Sequence, residues 1–271
     1  MSIVEVAVLG YGLAGSVFHA PLIAAQPRMR VAAVVTSSAE RAERARAEHP
    51  GVRVVPRAEE LFAAPDGIDL VVIATPNHTH APLARQALEA GLPVVVDKPF
   101  AVTADDADDL VRRAERSGLA LSVFQNRRWD GDFRTVRELV ETGKLGHVRR
   151  FESRFERWRP VPKGGWREVG TDEEGAGILL DLGSHLVDQA VTLSDSSWGT
   201  VDPERWGVLG AEPDFTPVPT APGAYPEFYS AMTAALLDGG PVPVDPRDAV
   251  TTLRLLTKAR ESAARGVTVT A

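Results

Sequence analysis

The stretch Ile3-Val4-Glu5-Val6-Ala7-Val8-Leu9-Gly10-Tyr11-Gly12-Leu13-Ala14-Gly15 decides the fold. A β-branched apolar run ends at Gly10, and glycines follow at positions 10, 12 and 15, G-x-G-x-x-G, at the head of a helical segment. Strand before and helix after is the context in which this spacing has a physical meaning. Gly10 allows the tight turn, Gly12 lets a pyrophosphate approach the backbone, and Gly15 permits close packing of helix on strand. The phosphates then sit on the N-terminal amides of the helix, beside Leu13 and Ala14.

Working outward, similar runs recur at Val31–Val35, Asp69–Ala74, Pro93–Asp97 and Leu119–Phe124, with a short candidate at Arg53–Val55. Continuous apolar runs of this length suit strands covered on both faces. Helical segments lie between them at Ala39–Glu48, His78–Ala90 and Thr103–Ser117. The last opens with an N-cap threonine and acidic residues and stops at Gly118. Strands alternating with helices predict an α/β fold with a doubly wound parallel sheet, a Rossmann domain over residues 1–125.

Composition sets the outer bounds. The 271 residues are 44% apolar and 25% charged, ordinary globular values that exclude fibrous and disordered classes. A net charge of −7 without a basic block argues against a nucleic-acid partner. The absence of cysteine excludes disulfide scaffolds, Cys-ligated zinc and thiol catalysis. No apolar run approaches the ~20 residues that cross a bilayer, and MSIVEVAVLG lacks a basic leader, so no membrane association and a cytoplasmic location are expected. Lysine is scarce, 4 residues against 26 arginines, which makes each one worth locating.

The end of the second strand bears on cofactor choice. An acid there would hold the ribose 2′-hydroxyl of NAD, whereas this chain reads Thr36-Ser37-Ser38, with Arg41 and Arg44 following. Hydroxyls and an arginine suit a 2′-phosphate, so Ser37 and Arg41 point to NADP in preference to NAD. The plainer reading makes Arg41 and Arg44 a solvated helix face.

Ala74-Thr75-Pro76-Asn77-His78-Thr79-His80 and Asp97-Lys98-Pro99 each follow a buried strand. With the glycine loop, they resemble the Gfo/Idh/MocA family of nicotinamide-dependent oxidoreductases, whose usual motif is Glu-Lys-Pro. A lysine at the carboxyl end of a parallel strand lies at the cofactor crevice, where its ammonium can polarise a substrate hydroxyl or carbonyl. The resemblance extends to Gly175-Ala176-Gly177-Ile178-Leu179-Leu180-Asp181-Leu182-Gly183-Ser184-His185-Leu186-Val187-Asp188. Spacings of four and three put Asp181, His185 and Asp188 on one helix face. The resemblance implies that Lys98, Asp181 and His185 are catalytic, with His185 the natural acid/base because its unperturbed pKa is near neutral. Asp188 reads as structural. A metal held by two acids and a histidine is the weaker alternative, since a nicotinamide reaction needs none. By the same resemblance Thr75, Pro76, Asn77, His80, Asp97, Lys98, Asn126, Arg127, Trp166 and Arg167 face the cofactor or the substrate. Trp129 joins them as a further candidate, and Arg128 reads as a surface arginine.

Residues 126–271 are expected to form a reduced α+β part. The family's outer antiparallel sheet is represented by one clear strand candidate, His147–Trp158, while Leu193-Ser194-Asp195-Ser196-Ser197-Trp198 stands where further strands would be, like a short splice. Ala224–Leu237 and Pro246–Ala264 read as helices that pack back on the first domain, and Val267–Val269 reads as a short strand. A lone strand is not a stable sheet, so it needs a partner segment or a second subunit; an oligomer is open, and the family's sheet-mediated dimer is in doubt. The sequence thus predicts an NADP(H)- or NAD(H)-dependent oxidoreductase of a sugar, polyol or related small molecule. The alternative is a protein that binds the nicotinamide cofactor with little catalysis.

Overall fold

Six strands form one parallel sheet in the order β3-β2-β1-β4-β5-β6 in the computed structural model. It describes residues 2–65, 67–156, 158, 160, 161, 164–193 and 220–270, with the side chains of Trp166 and Arg167 outside the description. The strands are β1 (Val4–Leu9), β2 (Met29–Val35), β3 (Arg53–Val55), β4 (Leu70–Ile73), β5 (Val94–Asp97) and β6 (Leu121–Phe124). Each coincides with one of the apolar runs, within two residues at either end. The order reverses between β1 and β4, whose carboxyl ends diverge and open the crevice where ligands of such sheets bind.

The first helices alternate with the strands: α1 (Ala20–Ala24), α2 (Ala39–Glu48), α3 (Ala58–Ala63), α4 (His80–Glu89) and α5 (Ala104–Ser117). The start of α5 is set locally, because the Thr103 hydroxyl accepts from the Asp106 amide and satisfies one of the free N–H groups of the first turn. Further on come α6 (Gly131–Glu141), α7 (Trp166–Val169), α8 (Ser184–Leu193), α9 (Pro226–Leu237) and α10 (Pro246–Arg265). Two π-helical turns, Ala14–His19 and Leu179–Gly183, lead into α1 and α8.

Period-two alternation sends each strand's side chains to two separate cores. On one face Leu9, Val35, Ile73, Val96 and Val123 pack with α4, α5 and α10. On the other Val6, Val8, Val72, Val95 and Phe124 pack with Ile23 of α1 and with Phe228, Tyr229 and Met232 of α9. The last helices therefore close both faces of the sheet. Ser122 in β6 fastens this closure, its hydroxyl donating to the Val244 carbonyl at 2.9 Å.

Two strand expectations are corrected. The described residues of His147–Trp158 join no ladder, and neither does Val267–Val269. The alternation of Phe151, Ser153 and Phe155 is there, but a strand needs a hydrogen-bonding neighbour, and none is found among the described residues. Residues 194–200 and the following segment through 219 lie outside the described residues, so the expectation for Ser194–Trp198 falls there. No helix among the described residues is long and apolar enough to cross a membrane.

Arg128 is also corrected: it is 8% exposed, not a surface arginine. Its guanidinium forks onto Asp188 of α8, with Nε donating at 2.8 Å and Nη2 at 2.6 Å, and Nη2 also reaches Asp248 of α10 at 3.0 Å. Partners 60 and 120 residues away bury a side chain whose own neighbours look like a surface loop. Removing one member of such a pair leaves a buried, uncompensated charge. Arg128→Met is expected to cost about 3–5 kcal/mol in urea unfolding; a loss under about 1 kcal/mol would place the pair among weak surface bridges.

Candidate functional site

The glycine loop is shaped by three different constraints. Gly10 has φ +89°, and a Cβ there would sit 2.6 Å from the Ala74 carbonyl oxygen. A Cβ on Gly15 would lie 2.0 Å from the Gly10 carbonyl oxygen, so helix and turn are in backbone contact. At Gly12, among the described residues, the only neighbour within 4 Å of such an atom is an Nη of Arg41, at 3.8 Å. The loop thus leaves an open cradle at Gly12, roofed by one guanidinium, which fits a pyrophosphate and the adenosine end of a dinucleotide. Arg41 has no ion-pair partner among the described residues, whereas Arg44 is taken up by Glu48 at 2.8 Å. Ser37 is exposed beside them.

The Thr75–His80 segment forms the facing lip, and here two side chains are anchored internally. Asn77 is buried and donates to the Gly175 carbonyl at 2.8 Å, tying the glycine-rich start of the second half to the crevice. His80 is 1% exposed, its ring nitrogens 2.8 Å from the Pro99 carbonyl and 2.9 Å from the Thr75 carbonyl. It therefore braces the loops after β4 and β5 against each other. The Thr75 hydroxyl accepts from Thr79 at 2.6 Å, and Pro76 is exposed at the lip.

Lys98 lies just past the end of β5. Its Nζ donates to both the carbonyl oxygen and Oδ1 of Asp181, each at 2.8 Å. Asp181 comes from the π-helical turn that leads into α8, and His185 follows within the first turn of that helix. His185 is 6% exposed and its Nδ1 is buried without a hydrogen-bond partner among the described residues. Burial, with the nearby charges of Lys98 and Arg127, pushes its pKa down to about 3, so it is a neutral imidazole. Asp188 belongs to the Arg128 pair, not to the site.

These groups share a cavity of about 750 Å³. It is lined by Leu13, Ala14 and Phe18 from the glycine loop and its π-helical turn, and by Asp97, Lys98, Asp181 and His185. Asn126 and Arg127 also line it, and Arg127 lies close enough to His185 for its charge to act on that ring. Arg127 is held by Asp130 at 2.9 Å and by the ring of Phe155, 4.7 Å from its guanidinium carbon. Trp129 instead turns into the core, its ring 5.5 Å from that of Phe228. Among the described residues there is no cluster of three or more His, Asp or Glu that could hold a metal ion.

Several lining residues escape sequence reasoning. Phe18 could have been found from its place four residues after Ala14 in the same turn. Tyr225, whose hydroxyl donates to Asp130, and Glu168 and Ile178 carry no local signal, because only the chain's long returns bring them to the cavity.

Comparison with known proteins bears on the fold and the family. Residues 4–125 match the Gfo/Idh/MocA oxidoreductase family with its NAD-binding Rossmann fold, and residues 133–202 match the GFO/IDH/MocA C-terminal domain. The uncharacterized oxidoreductase YdgJ of Escherichia coli is 51% identical over 190 residues, which are 70% of this chain and 53% of that protein. The scyllo-inositol 2-dehydrogenase (NADP(+)) IolW of Bacillus subtilis is 27% identical over an alignment of 340 positions, spanning 96% of this chain and 93% of that one. An alignment longer than the 271 residues of this chain leaves internal stretches of the relative unmatched. Among solved structures, YPO2259 of Yersinia pestis superposes with a TM-score of 0.84 at 32% identity, covering 100% of this chain and 97% of that one. The chain spans about half the length of several curated relatives that it matches. Glycine cradle, lysine-bearing strand end and the paired match of both domains lead to one conclusion: the chain belongs to the Gfo/Idh/MocA family of oxidoreductases.

Proposed function

We propose that this protein transfers a hydride between NADP(H) and a carbon bearing a hydroxyl or carbonyl on a polyol, sugar or related small molecule. The observation that carries the reading is that Lys98, bonded to Asp181, and His185 line one cavity together with Leu13 and Ala14 of the glycine loop. The nicotinamide, when bound, supplies the hydride acceptor or donor. Gly12, Leu13 and Ala14 would hold its phosphates, and Ser37 with Arg41 the 2′-phosphate that distinguishes NADP. The relative IolW, an NADP(+)-dependent scyllo-inositol 2-dehydrogenase, supports both the cofactor and the substrate class.

Within the cavity the three side chains have separable tasks. The Lys98 ammonium, held by Asp181 at two points, presents its remaining N–H to the substrate oxygen and stabilises negative charge that develops there. Neutral His185 accepts the hydroxyl proton as the hydride leaves for the nicotinamide and gives it to solvent when the product departs; burial and the neighbouring cations make it a weak base, so the charge that Lys98 stabilises on the substrate oxygen carries more of the step. Asp181 fixes the lysine and is close enough to hydrogen-bond a neighbouring hydroxyl of a polyol. Asn126, Arg127 and the segment carrying Trp166 and Arg167 would bound the substrate. A second reading, cofactor binding without turnover, is favoured by one observation: among the described residues no second sheet walls the cavity.

Three measurements test this. Arg41→Ala is expected to weaken NADPH binding about tenfold in a fluorescence titration while NADH binding stays within about twofold; equal losses would remove the 2′-phosphate assignment. Lys98→Met should abolish turnover of any polyol that the parent protein oxidises, with NADPH affinity within about threefold. Full turnover in that variant would overturn the lysine's role, and no turnover by the parent across polyols and sugars would favour the second reading. The third concerns pH. A folded-state pKa of about 3 for His185 lies below that of an unfolded histidine, so between the two values the unfolded chain binds more protons and stability falls as pH falls. His185→Gln should flatten the slope of unfolding free energy between about pH 6 and pH 4 by up to ~1.4 kcal/mol per pH unit, and an unchanged slope would contradict a neutral, buried His185.

A further inference from the structure

His19 sits at the end of the π-helical turn after the glycine loop and is 0% exposed. It faces two groups from distant parts of the chain. Its Nδ1 is 2.6 Å from the hydroxyl of Tyr229 on α9, and its Nε2 is 3.8 Å from Oδ1 of Asp97 at the end of β5. Nε2 has no hydrogen-bond partner among the described residues. The surroundings are dry: the Phe124 ring lies 4.4 Å from the imidazole and packs in turn on Phe228 at 4.9 Å.

The direction of the chain of contacts follows from chemistry. Tyr229 is fully buried, and burial holds its hydroxyl far above the usual phenol range, so it remains an O–H; because Nε2 faces the Asp97 carboxylate, the favoured tautomer carries its proton there, which leaves Nδ1 to accept from Tyr229. A neutral imidazole that accepts at Nδ1 carries its proton on Nε2, the nitrogen that faces Asp97. Burial acts to raise the Asp97 pKa, but the facing His19 and the charge of Lys98 outweigh it and hold the carboxyl at about 2. The same Oδ1 accepts the backbone amide of Lys98 at 2.8 Å. At 3.8 Å the N–H of His19 acts on this carboxylate as a dipole in a low-dielectric setting, where such a contact is strong.

We propose that Tyr229 and His19 are positioning residues for Lys98: the tyrosine hydroxyl fixes the His19 tautomer, the Nε2–H holds the Asp97 carboxylate, and that carboxylate holds the main chain of Lys98. The inference rests on Lys98 being the catalytic lysine. It makes α9, from the far end of the chain, part of the apparatus that aims the lysine. It also links the glycine loop to the strand end, since the π-helical turn that ends at His19 begins two residues after Gly12.

The test compares His19→Leu, which only fills space, with His19→Gln, whose amide can accept from Tyr229 and donate to Asp97. Amide hydrogen exchange in the full chain is read at Lys98 relative to Val96 in the same strand, so that general destabilisation cancels. His19→Leu should raise the Lys98-to-Val96 exchange ratio about tenfold, and His19→Gln should keep it within about twofold of the parent. An unchanged ratio in His19→Leu, or His19→Gln behaving like it, overturns the proposal. Should His19→Leu fail to fold, Tyr229→Phe, which removes a single oxygen, is expected to raise the same ratio, and no rise there is equally fatal. Nitrogen-15 spectra of the parent should show His19 protonated at Nε2; a proton on Nδ1 overturns the stated direction. With a polyol that the parent oxidises, His19→Leu should lower kcat about tenfold at unchanged NADPH affinity, and His19→Gln should restore it. A parent protein that oxidises nothing refutes the oxidoreductase reading, while the exchange and tautomer results still decide this one.

Discussion

A buried ion pair between Arg128 and Asp188 underlies the placement of everything on α8. It joins the turn after the last strand to α8, and through Asp248 to α10, which itself packs on α5. Taking both charges out of water is expensive, and the forked geometry with a second carboxylate is what repays it. The directional bonds then fix α8 against α10 and the turn after the last strand, and in that position Asp181 meets Lys98 while His185 lines the cavity. The site is thus anchored to the sheet by helices and charges, without help from an outer sheet among the described residues.

The two π-helical turns share a further property. Each precedes an α-helix at the edge of the cavity, and each delivers side chains that a regular helix would spread differently. The first carries Ala14 and Phe18, the second Asp181 and Leu182, all of which line the cavity. Opening the backbone by one residue per turn re-aims these groups towards the crevice at the reversal of strand order. Fold geometry supplies the crevice, and local backbone irregularity supplies the aim.

How much of this was legible in the sequence depends on whether the signal was local. The strands at Val4–Leu9 and Leu70–Ile73 are readable because burial on both faces demands continuous apolar side chains. The three glycines are readable because each has a separate steric reason. Lys98, Asp181 and His185 stand out through motif and spacing, and they do meet. Arg128 was misread because its burial depends on Asp188 and Asp248, and no feature of its own neighbourhood reports them. His147–Trp158 was misread for the converse reason: alternation describes a face, but a ladder requires a second backbone. Asn77 and His80 lie at the crevice as the motif suggested, yet their polar atoms are spent on Gly175, Pro99 and Thr75.

The return of α9 and α10 to the sheet has a consequence for how the chain is made. Phe124 and Ser122 find their partners Phe228 and Val244 only after more than a hundred intervening residues, and His19 meets Tyr229 across 210. Contacts so distant along the chain slow folding, because loop closure must precede their reward. On a ribosome the six strands emerge first, with one face of the sheet still lacking the aromatic cover of α9. The nascent first half is therefore a sticky, unfinished object that needs protection until the last helices arrive. A dinucleotide fold usually regarded as a self-contained module is here sewn shut from the opposite end of the polypeptide.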